Sequence, residues 1–168
     1  MSDAVLISED YRKMQQQLHE NPQYGVASVM YAPLVAQVIE GVGATEMLDY
    51  GAGKGRLGLT LKEHLKRPLS IRHYDPAIPA WSAQPKPSNF VACIDVLEHI
   101  EPEFLDNVLD YLQRVNAGVR IFIVHTQPAK NVLPDCRTSP LIQQPPSSGV
   151  PNFFAPLTRF IFTLSPCA

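Results

Sequence analysis

Glu46-Met47-Leu48-Asp49-Tyr50-Gly51-Ala52-Gly53-Lys54-Gly55, followed directly by Arg56 to Leu65, is the stretch that decides the fold. Glu46 to Tyr50 has an apolar centre and reads as a short strand. Alternating glycines then turn the chain sharply, and Leu57 to Leu65 resumes with a helical apolar spacing. A strand, a glycine turn and a helix form the opening half of a strand–helix–strand crossover. Ser70 to Asp75 supplies the next strand. Phe90 to Asp95 supplies another, apolar without alternation, as a strand buried on both faces should be. Glu103 to Val115 predicts a helix with Phe104, Val108, Leu109 and Leu112 inward, and Val119 to Val124 predicts a further strand. Strands alternating with helices predict an α/β fold: an open, mostly parallel sheet with helices on both faces.

Working outward, the N-terminal segment reads as helical. Ser8 to His19 carries Tyr11, Met14 and Leu18 at helical spacing, and Asn21-Pro22 breaks it. Ser28 to Glu40 predicts a second helix with Tyr31, Leu34, Val35, Val38 and Ile39 on its apolar side, closed by Gly41 and Gly43. The C-terminal part differs in composition. Seven of the 16 prolines fall between Gln127 and Pro156, and only Arg159 to Leu164 reads as a strand. The organisation expected is one domain over residues 1–168: a helical segment 1–44, a ligand-binding core 45–126, and a proline-rich tail 127–168 that reads as truncated.

Bulk properties exclude several classes. With 45% hydrophobic residues in 168, the chain can bury a core, so wholesale disorder is excluded. A formal net charge of −2 lacks the electrostatic footprint of a dedicated nucleic-acid binder. No apolar run reaches the ~18 residues of a membrane span. Met1 to Asp10 has neither the basic flank nor the apolar centre of a signal peptide, so a cytoplasmic setting is expected. Cys93, Cys136 and Cys167 form no zinc pattern with the five histidines, and no metal is expected.

Three ligands compete for the glycine loop. A phosphate-binding P-loop needs a hydroxyl residue after its lysine, and here Gly55 follows Lys54. A dinucleotide fingerprint is formally present as Gly53, Gly55 and Gly58, with an acid at Asp75. The third pattern is Asp49 at the strand end, two residues before Gly51, which makes DxGxGxG with Gly53 and Gly55. That combination resembles motif I of the class I S-adenosylmethionine-dependent methyltransferases. Phe90 to Asp95 followed by Val96-Leu97-Glu98-His99 is similar to the same family's fourth-strand motif, and Asp75 stands where that family keeps an acid. The resemblance covers roughly residues 46–125, and its compactness is similar to that of members encoded by bacteriophages.

The resemblance implies a Rossmann-like sheet, S-adenosyl-L-methionine as the cofactor, and methyl transfer to a small or unidentified acceptor. It implies cofactor contacts at Asp49, Gly51, Ala52, Gly53, Gly55, Asp75, Pro76 and Asp95, with Asp75 at the ribose hydroxyls. Glycines allow close backbone approach, and the following helix offers its positive end to a carboxylate. Asp95 has an equal alternative as a cap for the next helix, and Asp75 as an ordinary turn residue. The sequence announces no general base; His99, Glu98 and His125 lie near strand ends and are the candidates. Asp95-Val96-Leu97-Glu98 does not match the [DNS]PP[YFW] motif of nucleic-acid amino methyltransferases, which points away from base methylation. Tyr11 to Met14 and Tyr24 to Ser28 are expected either to cover the ligand or merely to pack; Asp135 and Arg137 either face the acceptor or stay solvated.

Two departures stand out. Only 14 residues separate Asp75 from Phe90, where the family fits a helix and a third strand, so that strand is expected to be abbreviated. The tail also lacks the family's closing antiparallel hairpin. The alternatives are an inactive methyltransferase-like interaction domain and a nicotinamide-dependent oxidoreductase.

Overall fold

A computed structural model describes residues 4–125, 131–132, 138–139 and 160–165. Two helices come first, α1 (Glu9–Glu20) and α2 (Ala27–Val42). After them come β1 (Glu46–Tyr50), α3 (Arg56–His64), β2 (Ser70–Tyr74), β3 (Ser88–Ile94), α4 (Leu105–Val115) and β4 (Asn116–His125). Two short strands, β5 (Asn131–Val132) and β6 (Thr138–Ser139), pair antiparallel by themselves, and β7 (Phe160–Ser165) returns to the main sheet. The main sheet has the order β2-β1-β3-β4-β7, and every pairing in it is parallel. This is the expected α/β architecture, a Rossmann-like open sheet.

The core lies in two layers, one on each face of the sheet. Successive strand residues point to opposite faces, so Met47, Phe90, Ala92, Ile121 and Ile123 pack with Ala32, Val35 and Ile39 of α2 and Leu57 and Leu61 of α3. Their neighbours Leu48, Val91, Cys93 and Phe122 pack with Val108, Leu109 and Leu112 of α4. Phe90 to Cys93 are fully buried, which is why β3 shows no polar alternation. Cys93 is a free core thiol, and burial pushes its pKa well above the ordinary value.

The third strand is absent between β2 and β3. The short link instead folds back against β2. It makes one 3-10 turn, Pro79–Trp81, and the Trp81 ring lies over the His73 ring at 4.7 Å. Arg72 donates to the carbonyls of Lys86 and Pro87, each at 3.0 Å, and so ties the end of the link to the edge strand. The four prolines of the link have no N–H to give to a ladder, and side chains of β2 hold the link in place of strand pairing.

Three local expectations shift. Gly41 sits inside α2, and Gly43 alone closes it, with φ 72°. The helix expected from Glu103 begins at Leu105 after a 3-10 turn over Pro102–Phe104. The strand expected over Arg159 to Leu164 is β7, which pairs parallel with β4 through Arg120↔Phe160 to His125↔Ser165. No helix among the described residues is long and apolar enough to cross a membrane.

Candidate functional site

The carboxyl ends of β1, β2 and β3 open into a cavity of about 320 Å³. This is where open α/β sheets hold ligands. It is lined by the glycine loop through Gly51, Ala52 and Gly53, by Asp49, Asp75 and Pro76, and by Asp95 and His99. Seven of the eight expected cofactor contacts therefore meet at one cavity; Gly55 stands just outside, at the start of α3. Tyr11, Gln15, His19 and Tyr24 complete the wall from the N-terminal segment.

The loop is shaped by a dense set of backbone bonds. Gly51 N–H and Ala52 N–H both donate to the Tyr74 carbonyl, at 2.8 and 3.1 Å. Gly53 N–H donates to Asp75 Oδ2 at 2.9 Å, and Ala77 N–H donates to Asp75 Oδ1 at 2.9 Å. Asp75 thus clamps the loop after β1 to the loop after β2, and it is 7% exposed. Each of its oxygens carries a second lone-pair site for a further donor. Gly51 and Gly53 have φ of 73° and 51°, in the left-handed region that favours glycine. A Cβ on Gly53 would stand 2.8 Å from His19 Cε1, and one on Gly51 would collide with Val96. The glycines therefore accommodate close packing inside the protein as well as a turn. Because the amides of residues 51–53 are committed, an anion at this loop would meet the first turn of α3, where no side chain caps the helix.

Asp49 is 4% exposed, and its Oδ2 stands 3.2 Å from His73 Nδ1. Burial raises the Asp49 pKa above the ordinary value, and the hydrogen bond with His73 opposes that rise. His73 in turn packs against the start of α3, its ring within 2.9 Å of the place where a Gly58 Cβ would stand. Gly58, the last glycine of the dinucleotide-type spacing, is thus required here for ring packing.

The N-terminal segment covers the loop directly. Lys54 Nζ donates to the carbonyls of Asn21 and Tyr24, and Arg56 donates to the Pro22 carbonyl at 2.7 Å. The two loop cations are therefore bound to the α1–α2 turn. Tyr24 donates to Gln15 Oε1 at 3.1 Å, and Gln15 donates to the Tyr11 hydroxyl at 2.7 Å, which fixes the cavity wall. Ser8 caps α1 by accepting from Tyr11 N–H at 3.1 Å, while its own hydroxyl and N–H donate to the Glu101 carboxylate at 2.7 and 2.8 Å. The ties from Lys54, Arg56 and Ser8 join residues far apart in sequence, and spacing alone gives no sign of them.

Asp95 sits at φ 59°, the sole non-glycine residue with positive φ among those described. Val96 follows it at the N-cap position of the 3-10 turn Leu97–His99 and has no side-chain capping bond. That turn brings two of the candidate bases to Asp95. One ligand atom each from Asp95, Glu98 and His99 lie within 4.8 Å of one another, and Glu98 is 1% exposed. His125 ends β4 on the same side of the sheet, but its side chain lies outside the described residues, as do Asp135 and Arg137. No protein-family model matches the chain, and no curated protein matches it.

Proposed function

We propose that the chain binds S-adenosyl-L-methionine in the cavity above β1, β2 and β3 and transfers its methyl group to a small or unidentified acceptor. One observation supports this most: a single carboxylate, Asp75, bridges the glycine loop and the loop after β2 while lining a cavity of about 320 Å³. That volume lies at the lower end of the range for small-ligand sites. The donor set also fits the group. On the cavity wall, Asp75 has acceptor capacity for ribose hydroxyls and Asp49 for an ammonium.

The sulfonium supplies an activated methyl group with its own leaving group. The chain's part is then to orient both reactants and exclude water. The wall formed by Tyr11, Gln15, His19 and Tyr24 does this from the N-terminal side. His99 is the half-buried imidazole on the cavity wall suited to take a proton from an acceptor that must lose one.

Native mass spectrometry of the chain with equimolar S-adenosylhomocysteine and NADH tests the choice of cofactor. Retention of S-adenosylhomocysteine alone is expected. Retention of NADH instead would favour an oxidoreductase, and retention of neither would favour an interaction domain.

A further inference from the structure

A second cavity, of about 490 Å³, lies between α1, the end of β2 and α4. Leu6 and Pro76 border both it and the first cavity, so the two stand side by side. It follows from the shortened link: no α-helix lies between β2 and β3, and the flank of α4 that carries Tyr111 and Arg114 faces the opening. Its walls are anchored. Asn107 of α4 donates to the Val5 carbonyl at 2.9 Å, and Gln16 of α1 donates to the Ala77 carbonyl at 2.9 Å.

The described lining includes two guanidiniums, Arg12 and Arg114, and no carboxylate. Arg12 meets Glu9 at 3.1 Å through one terminal nitrogen, an exposed pair of the kind that contributes little. Its Nε is buried and has no partner among the described residues, a cost that an incoming acceptor would remove. Arg114 lies over the Tyr111 ring, 5.4 Å from its centroid, and joins no salt bridge among the described residues. A guanidinium stacked by its face keeps its N–H donors in plane for an oxyanion. Burial, first, and the neighbouring Tyr111 raise the Tyr74 pKa, so that hydroxyl stays neutral and does not compete for the cations. The rest of the wall is largely apolar, through Val5, Leu6, Ile7, Pro76 and Pro79. We propose that this second cavity binds a small organic oxyanion, with Arg12 and Arg114 on its charged group and its apolar body against the segment 5–7 and the link. The volume is that of a small-ligand site, and guanidiniums are the groups suited to planar, paired recognition of carboxylate or phosphate. The proposal does not rest on the identity of the cofactor.

The test is a ligand-observed nuclear magnetic resonance titration of the full chain, without cofactor, using phenyl phosphate, benzoate and neutral phenol. Saturable binding of at least one anion is expected, and the tighter of the two identifies the oxyanion as phosphate or carboxylate. Arg12→Gln and Arg114→Gln should each weaken that binding by about tenfold or more, the scale of a hydrogen bond to a charged group. Arg114→Gln lies at an exposed position and decides the matter if circular dichroism shows that Arg12→Gln fails to fold. No binding of either anion at millimolar concentration, equal binding of phenol, or unchanged affinity in the folded variants would overturn the proposal. Each of these outcomes leaves the S-adenosylmethionine reading to its own test.

Discussion

Asp75 and His19 carry the most information of any single residues. Asp75 accepts from Gly53 and Ala77 N–H, so its removal strips both loops of their shared acceptor. Asp75→Ala should weaken S-adenosylmethionine binding by roughly 1.5–3 kcal/mol, the scale of hydrogen bonds to a charged group, and should also lower the melting temperature. Calorimetry with the variant checks the first, and unchanged affinity would remove Asp75 from the ribose. His19 has its pKa lowered from 6.5, first by burial and then by Lys54, with Asp75 opposing. The folded value lies below the unfolded one, so between them the unfolded chain binds more protons. Stability from His19 is therefore present above pH 6.5 and is lost as pH falls through that window. The melting-temperature advantage of the wild type over His19→Gln should shrink between about pH 7.5 and about pH 5. A constant difference would contradict the assignment.

At the scale of elements, the helix α1 acts as a cover whose two ends are tied to the site. Its last turn places His19 against Gly53, and its first turn is tied by Ser8 to Glu101 beyond β3. Ser8→Ala removes the helix cap and one bond to a buried carboxylate. The expected cost is about 1–2 kcal/mol, measured by denaturant unfolding. A cost near zero would show that α1 is held by its apolar side alone. The sequence already showed α1 as an amphipathic helix, because Tyr11, Met14 and Leu18 recur at its period. It did not show what α1 covers. That depends on pairings such as Ser8 with Glu101, for which spacing carries no signal. The same limit explains Asp49, whose position at a strand end was legible and whose bond to His73 was not. The Asp95–His99 turn was visible as a motif, but its convergence needed the positive φ at Asp95.

For the whole molecule, the order β2-β1-β3-β4-β7 follows from patterns that could be read early. Phe90 to Ile94 is unbroken apolar sequence and becomes the central strand, buried on both faces. The missing strand was also legible, because 14 residues with four prolines between Asp75 and Phe90 cannot hold a helix and a strand. How the gap is closed, by Trp81 on His73 and Arg72 on the link, was not. The shortened link leaves the site at the carboxyl ends of the sheet intact, with its glycine loop, clamp and cover. The central claim is that this site takes S-adenosylmethionine. Isothermal titration calorimetry of the full chain with S-adenosylmethionine and S-adenosylhomocysteine tests it most directly. One-to-one binding of both is the predicted result, and absence of heat from either at high micromolar concentration would contradict it.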